Sequence, residues 1–206
     1  MMISKHEDLG SAGRDACRPL LWLLCHYQVT TDAWGEDEYE LPHLLIGVFA
    51  RRALAEEVRE RLVRKPGFCD WPLGFRLECN RPDDDGAWDT GFLREGDDEE
   101  PVVDRADVLR LPEPTPAGVP REIWKVWHFQ VRDPSAPPDP WSAKGIGSFS
   151  TPANAAAAVA HRRRPPGFCD WPDGFRCWRH RLGVAFGLDG FQERYGWEAW
   201  AQSLRG

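Results

Sequence analysis

The chain has 206 residues, of which 42% are apolar and 29% charged, and its formal net charge at pH 7 is -7. This composition is typical of a globular protein and excludes a disordered chain. Residues 1–92 carry a net charge of -6, residues 93–120 carry -5 and residues 121–206 carry +4, so the chain as a whole is not built to grip nucleic acid.

Neither the cysteines nor the N-terminus indicates secretion or a metal site. The 6 cysteines form no C-x-x-C pair and no Cys/His cluster with zinc-ligand spacing. Residues 1–18 are polar and lack the apolar run of a signal peptide, and the apolar stretch 20–25 is too short to span a bilayer. We therefore expect a cytoplasmic protein with reduced thiols and with no membrane anchor, metal or cofactor. The sequence leaves its oligomeric state open.

A stretch of eleven residues occurs twice in the chain, one hundred residues apart. Residues 66–76 and 166–176 differ at a single position, where Leu73 corresponds to Asp173. Ten identities over types as uncommon as Trp, Cys, Phe and Pro predict two copies of one small domain. The chain then divides into a flexible N-terminal tail at 1–18, a first repeat at 19–92, an acidic and Pro-containing linker at 93–120 and a second repeat at 121–206.

The predicted elements follow the same order in both copies. Apolar runs and helical spacing in the first copy predict strands over 20–29, 44–50 and 75–80 and a helix over 51–65, with an acidic loop over 30–42. The second copy has the corresponding strands over 123–131, 146–149 and 175–181 and a helix over 153–164, entered through Thr151 as N-cap. Each copy is therefore predicted to be a β-β-α-β unit of an α+β fold, a three-stranded antiparallel sheet covered by one helix. The bare sheet faces predict a pseudo-twofold pair of units.

The repeated pattern resembles a family of small bacterial domains of unknown function. In that family a helix is followed by a turn of the form PGF-x-D-aromatic-P-x-GF, a strand and a W-x-x-GF tail; residues 66–75, 88–92 and 166–175 match it. The chain departs from the family at Trp71 and Trp171, where Tyr is usual, and in the second tail, 195–197. The resemblance implies the fold and supplies no catalytic residues. The layout also resembles the immunity proteins that bacteria keep beside secreted toxins, an analogy of architecture only.

The turns contain two Asp-Trp pairs, Asp70–Trp71 and Asp170–Trp171. A structural role explains the identities, because Gly and Pro set a tight path and Asp accepts backbone N–H groups inside a turn. The functional alternative is that each pair forms a lip that binds a partner, since an exposed Trp is a common interface anchor.

Two polar pairs recur on the first strand of each copy. His26 and Gln28 in the first copy correspond to His128 and Gln130 in the second, and spacing by two residues places each pair on one strand face. If the helix covers the other face, these residues form either a hydrogen-bonded contact between the repeats or a pH-sensitive ligand site.

Cys69 and Cys169 are the repeated thiols. Activation by a histidine would make such a thiol a nucleophile, but both follow a helix C-terminus, where the helix dipole opposes a thiolate. We expect structural cysteines, buried or half-exposed.

Two charged regions suggest opposite kinds of partner. The acidic loop of the first repeat, with Glu36, Asp37 and Glu38, suits a basic protein partner or is simply solvated surface. The second repeat instead has basic residues close to Trp178, an arrangement that can hold single-stranded nucleic acid: Arg162, Arg163, Arg164, Arg176 and Arg179.

The absence of catalytic motifs and the acidic balance favour a non-enzymatic protein-binding module, an immunity-type inhibitor of a bacterial toxin or a similar partner. The alternatives are a nucleic-acid-associated regulator that acts through the second repeat, or a purely structural tandem domain.

Overall fold

The structure, a computed structural model, describes residues 19–31, 37–84, 91–92, 109–113, 118–131, 143–186 and 188. The first repeat consists of β1 (Leu21–Thr31), β2 (Asp37–Phe49), α1 (Arg52–Leu62) and β3 (Phe75–Asn80). The second consists of β4 (Glu122–Phe129), β5 (Ala143–Phe149), α2 (Pro152–Arg162) and β6 (Phe175–Arg181). A short 3-10 turn precedes the last strand of each repeat, at Pro72–Gly74 and Pro172–Gly174. The predicted α+β fold with two β-β-α-β units is confirmed.

Both sheets are antiparallel, with the first strand in the middle: their orders are β2-β1-β3 and β5-β4-β6. The registers of the two copies agree residue for residue, since Trp22 pairs with Phe49 as Trp124 pairs with Phe149. Both middle strands shift register at the corresponding point, opposite Ile46 and opposite Ile146, and β1 shifts a second time between His26 and Gln28. The two copies are therefore one fold in detail as well as in outline.

The predicted acidic loop over 30–42 is too long. The strands β1 and β2 continue past the sheet as a two-stranded ribbon, in which Gln28 pairs with Glu40 and Thr31 pairs with Asp37. β3 pairs with β1 only between Leu21 and His26, so it does not reach this ribbon. Cross-strand hydrogen bonds satisfy the backbone there, which is why polar residues continue the strands.

Both helices end earlier than predicted, because the chain turns into the repeated motif directly after them. α2 begins as expected, with the hydroxyl of Thr151 accepting from the N–H of Asn154 at 3.1 Å and Pro152 in the first position. At the end of α1, the N–H of Lys65 donates to the carbonyl of Leu62 at 2.8 Å, which starts the turn.

One face of each sheet packs on its own helix. In the first repeat Leu24 packs with Ala55 and Phe68, and in the second Val126 packs with Ala155 and the other members of the corresponding core, all of them buried. Burial of such side chains contributes about 25 cal/mol per Å² of apolar surface and stabilises each unit.

The other faces of the two sheets pack against each other. Leu21, Leu23 and Cys25 of β1 form one buried cluster with Ile123 of β4, and Phe186 joins its edge. The expected pairing of the units is thus a stack of sheets with a shared interior.

The chain beyond each last strand crosses to the other repeat. The N–H of Asp83 donates to the carbonyl of Ser148 at 2.8 Å, and one hundred residues later the N–H of Gly183 donates to Val48 at 2.7 Å. This reciprocal exchange defines the pseudo-twofold relation.

Part of the predicted linker also belongs to the second repeat, since Leu109 and the apolar residues near it pack on that core. In the ranges that the structure describes, no helix has the length and hydrophobicity needed to cross a bilayer.

Candidate functional site: the repeated turns and the surfaces beside them

The repeated turn has the same backbone path in both copies. Gly67 and Gly167 have φ of 80° and 75°, values that favour glycine because a Cβ is strained there. Trp71 has φ -129° and ψ 62°, and Trp171 has φ -129° and ψ 58°. The turn is therefore a rigid structural unit, and sequence identity here reflects backbone geometry.

A buried histidine holds each turn to its sheet. Nε2 of His26 bonds to the carbonyl of Trp71 at 2.9 Å, and Nε2 of His128 bonds to that of Trp171 at 2.9 Å. Because a carbonyl can only accept, Nε2 is the protonated nitrogen in both rings. Burial lowers the pKa of His26, and it lowers the pKa of His128 to about 4, so both imidazoles are neutral at pH 7.

The prediction that His26 and His128 lie on the uncovered sheet faces is wrong. His26 pairs in register with Phe75, and its ring lies 4.9 Å from that of Phe68, under the turn that follows the helix. The turn and the helix cover the same face of the sheet, and sequence spacing alone does not show which face that is. Gln28 and Gln130 are half-buried near the ends of their strands, Gln28 in the ribbon and Gln130 just past β4.

The two Asp-Trp pairs have different surroundings. Oδ2 of Asp170 accepts from the N–H of Gly167 at 3.1 Å, the turn-internal bond expected from the sequence, whereas Asp70 is exposed. Trp71 and Trp171 are half-buried, and Nε1 of Trp171 donates to the carbonyl of Phe92 at 3.2 Å. The second turn therefore holds a segment of the first repeat.

The single position at which the turns differ lies on the surface. Leu73 is 66% exposed, and Asp173 is exposed at the corresponding place. Asp70 is exposed on the same turn, so this turn presents one acidic and one apolar side chain, three residues apart in the sequence. We call these two residues the first-turn lip.

Cys69 and Cys169 follow the helices, as expected from their sequence position, but both are exposed, so the expectation of a buried or half-exposed structural thiol is wrong. The Sγ of Cys69 lies 3.8 Å from a carboxylate oxygen of its neighbour Asp70, an arrangement that does not activate a thiol. The nearby His26 already donates its Nε2 proton to Trp71.

The acidic residues singled out in the first repeat lie at the end of the ribbon. Asp37 and Glu38 are the first residues of β2 and pair with Thr31 and Thr30. Glu36 lies outside the described residues. The second repeat has no described counterpart, because β4 ends at Phe129 opposite Ala143. The ribbon is therefore an acidic feature of the first repeat.

The arginines of the second repeat do not form one basic surface. Arg162 is buried, with its guanidinium 6.0 Å from the centre of the Phe168 ring, so including it in a nucleic-acid surface was wrong. Arg163 and Arg164 are exposed. Arg176 is half-buried and donates to the backbone carbonyl of Asp173 at 2.6 Å.

Arg179 and Trp178 also do not form the open basic and aromatic surface that the sequence suggests. Arg179 is exposed and lies 3.8 Å from the carboxylate of Glu122, which offsets part of its charge. Trp178 packs on the core cluster between the repeats, with its ring edge-on to Phe129 at 6.0 Å, and therefore does not alternate with the arginines on an open surface.

Sequence reasoning missed a group of polar side chains between the two sheets. Lys125 is buried there near Trp127, with Nζ 5.1 Å from its ring centre, and burial lowers the pKa of the ammonium. His180 is also buried and His43 is half-buried, and burial and the charge of Lys125 lower the pKa of each to about 4. The alternation of side chains along a strand could have located them, because they occupy positions on the same strand faces as the apolar residues between the sheets.

The chemistry that these groups support is recognition of other groups by shape and charge. Within the described ranges, no three His, Cys, Asp or Glu residues are arranged to hold a metal ion. Comparison with protein-family models, with curated proteins and with solved structures finds no match.

Proposed function

We propose that the chain is a protein-binding module without catalytic activity, an immunity-type inhibitor that binds a basic protein such as a bacterial toxin. The observation that carries this proposal is the first-turn lip. An apolar side chain that is 66% exposed, on a turn that also carries an exposed carboxylate and is held by backbone bonds and a buried histidine, is a preorganised interface anchor.

The acidic ribbon supplies the second element of the proposal. Acidic residues at the end of a two-stranded arm raise the rate at which a basic partner is captured, because opposite charges steer the encounter. Toxins that attack nucleic acid are commonly basic, which suits an acidic inhibitor. Both histidines repeated in the sequence are engaged in holding the turns, which favours binding over catalysis.

Co-expression with the product of the adjacent gene tests the proposal. We expect a stoichiometric complex that survives moderate salt and suppresses the toxicity of the neighbour. Leu73→Asp, which makes the first turn identical to the second, should weaken the complex at least tenfold without unfolding the protein. Val119→Asp is the matched control, because Val119 is 50% exposed and belongs to the segment 93–120, outside both turns in the sequence.

Equal affinities of the two variants would contradict the role of the lip. No complex at all, with nucleic acid retained through purification instead, would overturn the inhibitor proposal. That outcome would favour the nucleic-acid alternative, acting through the exposed Arg163, Arg164 and Arg179.

A further inference from the structure

The turn of the second repeat is an occupied peptide-binding site. Its ligand is the dipeptide Gly91–Phe92, which belongs to the first repeat. The N–H of Gly91 donates to the carbonyl of Pro166 at 3.0 Å, and the carbonyl of Phe92 accepts from Nε1 of Trp171 at 3.2 Å. Nζ of Lys144 donates to the carbonyl of Gly91 at 2.7 Å. Three hydrogen bonds thus bind the backbone of Gly91 and Phe92.

The site selects glycine at its first position by close backbone contact. A Cβ on Gly91 would lie 2.2 Å from the carbonyl carbon of Gly167 and 2.3 Å from the nitrogen of Phe168. Both atoms belong to the backbone of the rigid turn and cannot move aside. Every residue other than glycine is therefore excluded from this position.

The site selects an aromatic residue at its second position. The ring of Phe92 stacks on that of His128, with centroids 5.7 Å apart at 24°, and the ammonium of Lys144 lies 4.8 Å from the centre of the Phe92 ring. An aromatic ring gains from both contacts, since offset stacking and the attraction of a cation to a ring face are both favourable. The recognised class of ligand is a peptide segment in which glycine precedes an aromatic residue.

The first repeat has the same receptor. The histidine-to-turn bond is 2.9 Å in both copies, and the histidine lies 4.9 Å from the first Phe ring of the turn in both. The backbone angles at Gly67 and Trp71 match those at Gly167 and Trp171 within a few degrees. The two turns thus share their backbone path and their histidine and differ at Lys144, whose place Leu44 takes in the first repeat, so the first turn suits the same class of segment.

The tail of the second repeat runs to the first repeat in the same way as the first tail runs to the second. The N–H of Gly183 donates to Val48, and the N–H of Phe186 donates to Ile46 at 2.7 Å, along β2. Outside the described residues the second tail contains two glycine–aromatic pairs, Gly190–Phe191 and Gly196–Trp197. Gly196–Trp197 is the counterpart of Gly91–Phe92, because it follows Asp189–Gly190 as Gly91–Phe92 follows Asp85–Gly86, with one residue inserted. A segment of eight residues after Leu188 spans up to about 26 Å when extended.

We propose that the turn of the first repeat is a binding site for a glycine–aromatic segment and that its ligand is Gly196–Trp197 of this same chain. The turn of each repeat then binds the tail of the other repeat. The inner, histidine side of the turn serves this purpose, which leaves the first-turn lip for the external partner. Where Lys144 stands in the second repeat, the first has buried Leu44, so the first site lacks the ammonium and depends more on the larger indole of Trp197.

Hydrogen exchange on the full-length protein tests the assignment. Gly196→Val should raise deuterium uptake at least tenfold in residues 66–75 and leave residues 166–175 unchanged. Gly91→Val should do the reverse. The two variants control each other, because each introduces the same side chain at the corresponding tail position. Unchanged uptake in residues 66–75 in Gly196→Val, together with the expected effect of Gly91→Val, would overturn the proposal.

Photo-crosslinking gives a second readout that does not require a destabilised variant. A benzoylphenylalanine at position 197 of the full-length chain should crosslink to residues 66–75 within one molecule, and one at position 92 should crosslink to residues 166–175. A crosslink from position 197 to any other segment, or only between molecules, would contradict the proposal. Neither result depends on the adjacent gene product, so this proposal and the proposed function can fail separately.

Discussion

The carboxylate of Asp83 bonds to Ser150 through both of its oxygens. Oδ1 accepts from the backbone N–H of Ser150 at 2.9 Å, and Oδ2 accepts from its hydroxyl at 2.5 Å. Oδ1 also accepts from Nδ2 of Asn154 at 3.1 Å. Asp83 follows β3 of the first repeat, while its partners lie at the start of α2 in the second. The first tail is thus fastened to the other repeat at a helix N-terminus, where a negative charge is favourable.

Loss of this fastening should destabilise the whole protein. Asp83 is buried and has a φ of 61°, a left-handed conformation that aspartate tolerates better than alanine. Asp83→Ala removes three hydrogen bonds and leaves their donors buried, so we expect a loss of about 3–5 kcal/mol in the free energy of unfolding. Urea unfolding followed by circular dichroism measures this loss.

Asp83→Gly is the informative companion, because the second copy has Gly183 at the corresponding place with φ 78°. Glycine relieves the backbone strain while still losing the hydrogen bonds, so this variant should be about 1 kcal/mol more stable than Asp83→Ala. Equal stabilities of wild type and both variants would show that the carboxylate contacts are not made in solution.

Gly91 should tolerate no side chain. Gly91→Ala places a methyl group against the backbone of Gly167, so the first tail must leave its site. We expect a loss of at least 2 kcal/mol in unfolding free energy. The matched control is Gly118→Ala, because a Cβ at Gly118 meets no atom within 4 Å and should change stability by less than about 0.5 kcal/mol. Similar effects of the two substitutions would contradict the docking of the tail.

Several features of the fold follow from residue patterns that are local in sequence. The third strands lie where the alternation after the turn places them, and the helix cap at Thr151 forms as its sequence predicts. The equivalence of Trp22 with Trp124 also follows from the strand pattern and is confirmed by the identical registers. Each of these features depends on residues a few positions away in the sequence. Because the domain is repeated, the same pattern can be examined in both copies.

The features that sequence reasoning missed depend on contacts between distant segments. The face occupied by His26 is decided by the path of a turn more than forty residues away. The sequence gives one indication that the chain turns sharply at Asp83. The second copy has Gly183 at the equivalent place, and glycine there indicates a left-handed backbone in both copies. The glycine does not show which of the two repeats the chain packs against after this turn. The burial of Arg162 was missed for a similar reason, because long charged side chains are usually exposed.

Charge reversal at the ribbon should slow capture of a basic partner. Replacement of Glu36, Asp37 and Glu38 by lysine removes three negative charges and adds three positive ones. We expect the association rate to fall at least tenfold at low salt and the folding stability to change little, because steering acts on the encounter. Stopped-flow or surface-based kinetics at two salt concentrations measure this effect. An association rate that is the same for both proteins would remove the ribbon from the interface.

Thiol labelling should separate the buried cysteine from those in the turns. Cys25 is 1% exposed between the sheets, and burial and the nearby Glu78 carboxylate raise the pKa of its thiol, whereas Cys69, Cys79 and Cys169 are exposed. We expect iodoacetamide to modify Cys69 and Cys169 at the rate of Cys79, and Cys25 at least a hundredfold more slowly. Peptide mass spectrometry follows each site. Much faster modification of Cys69 or Cys169 would support the nucleophile interpretation instead.

Acid should weaken the contact between the repeats through the histidines buried there. His180 is fully buried and stacks on Phe186 at 5.1 Å; its pKa is lowered to about 4 by burial and by the charge of Lys125. The pKa of a histidine in the unfolded chain is about 6.5, so below that pH the unfolded state binds a proton that the folded state does not. The stability is therefore complete above pH 6.5 and falls as the pH drops towards 4, by at most about 3 kcal/mol for one such histidine.

Replacement of His180 by phenylalanine isolates this contribution, because neither ring nitrogen of His180 has a hydrogen-bond partner among the described residues and phenylalanine keeps the stack on Phe186. His43, stacked on Tyr27 at 4.9 Å, titrates in both proteins and cancels in the comparison. We expect His180→Phe to lose less stability than wild type between pH 7.5 and 4.5, as measured by urea unfolding at both pH values. Parallel losses in the two proteins would mean that His180 is solvated, and that the sheets do not close over it.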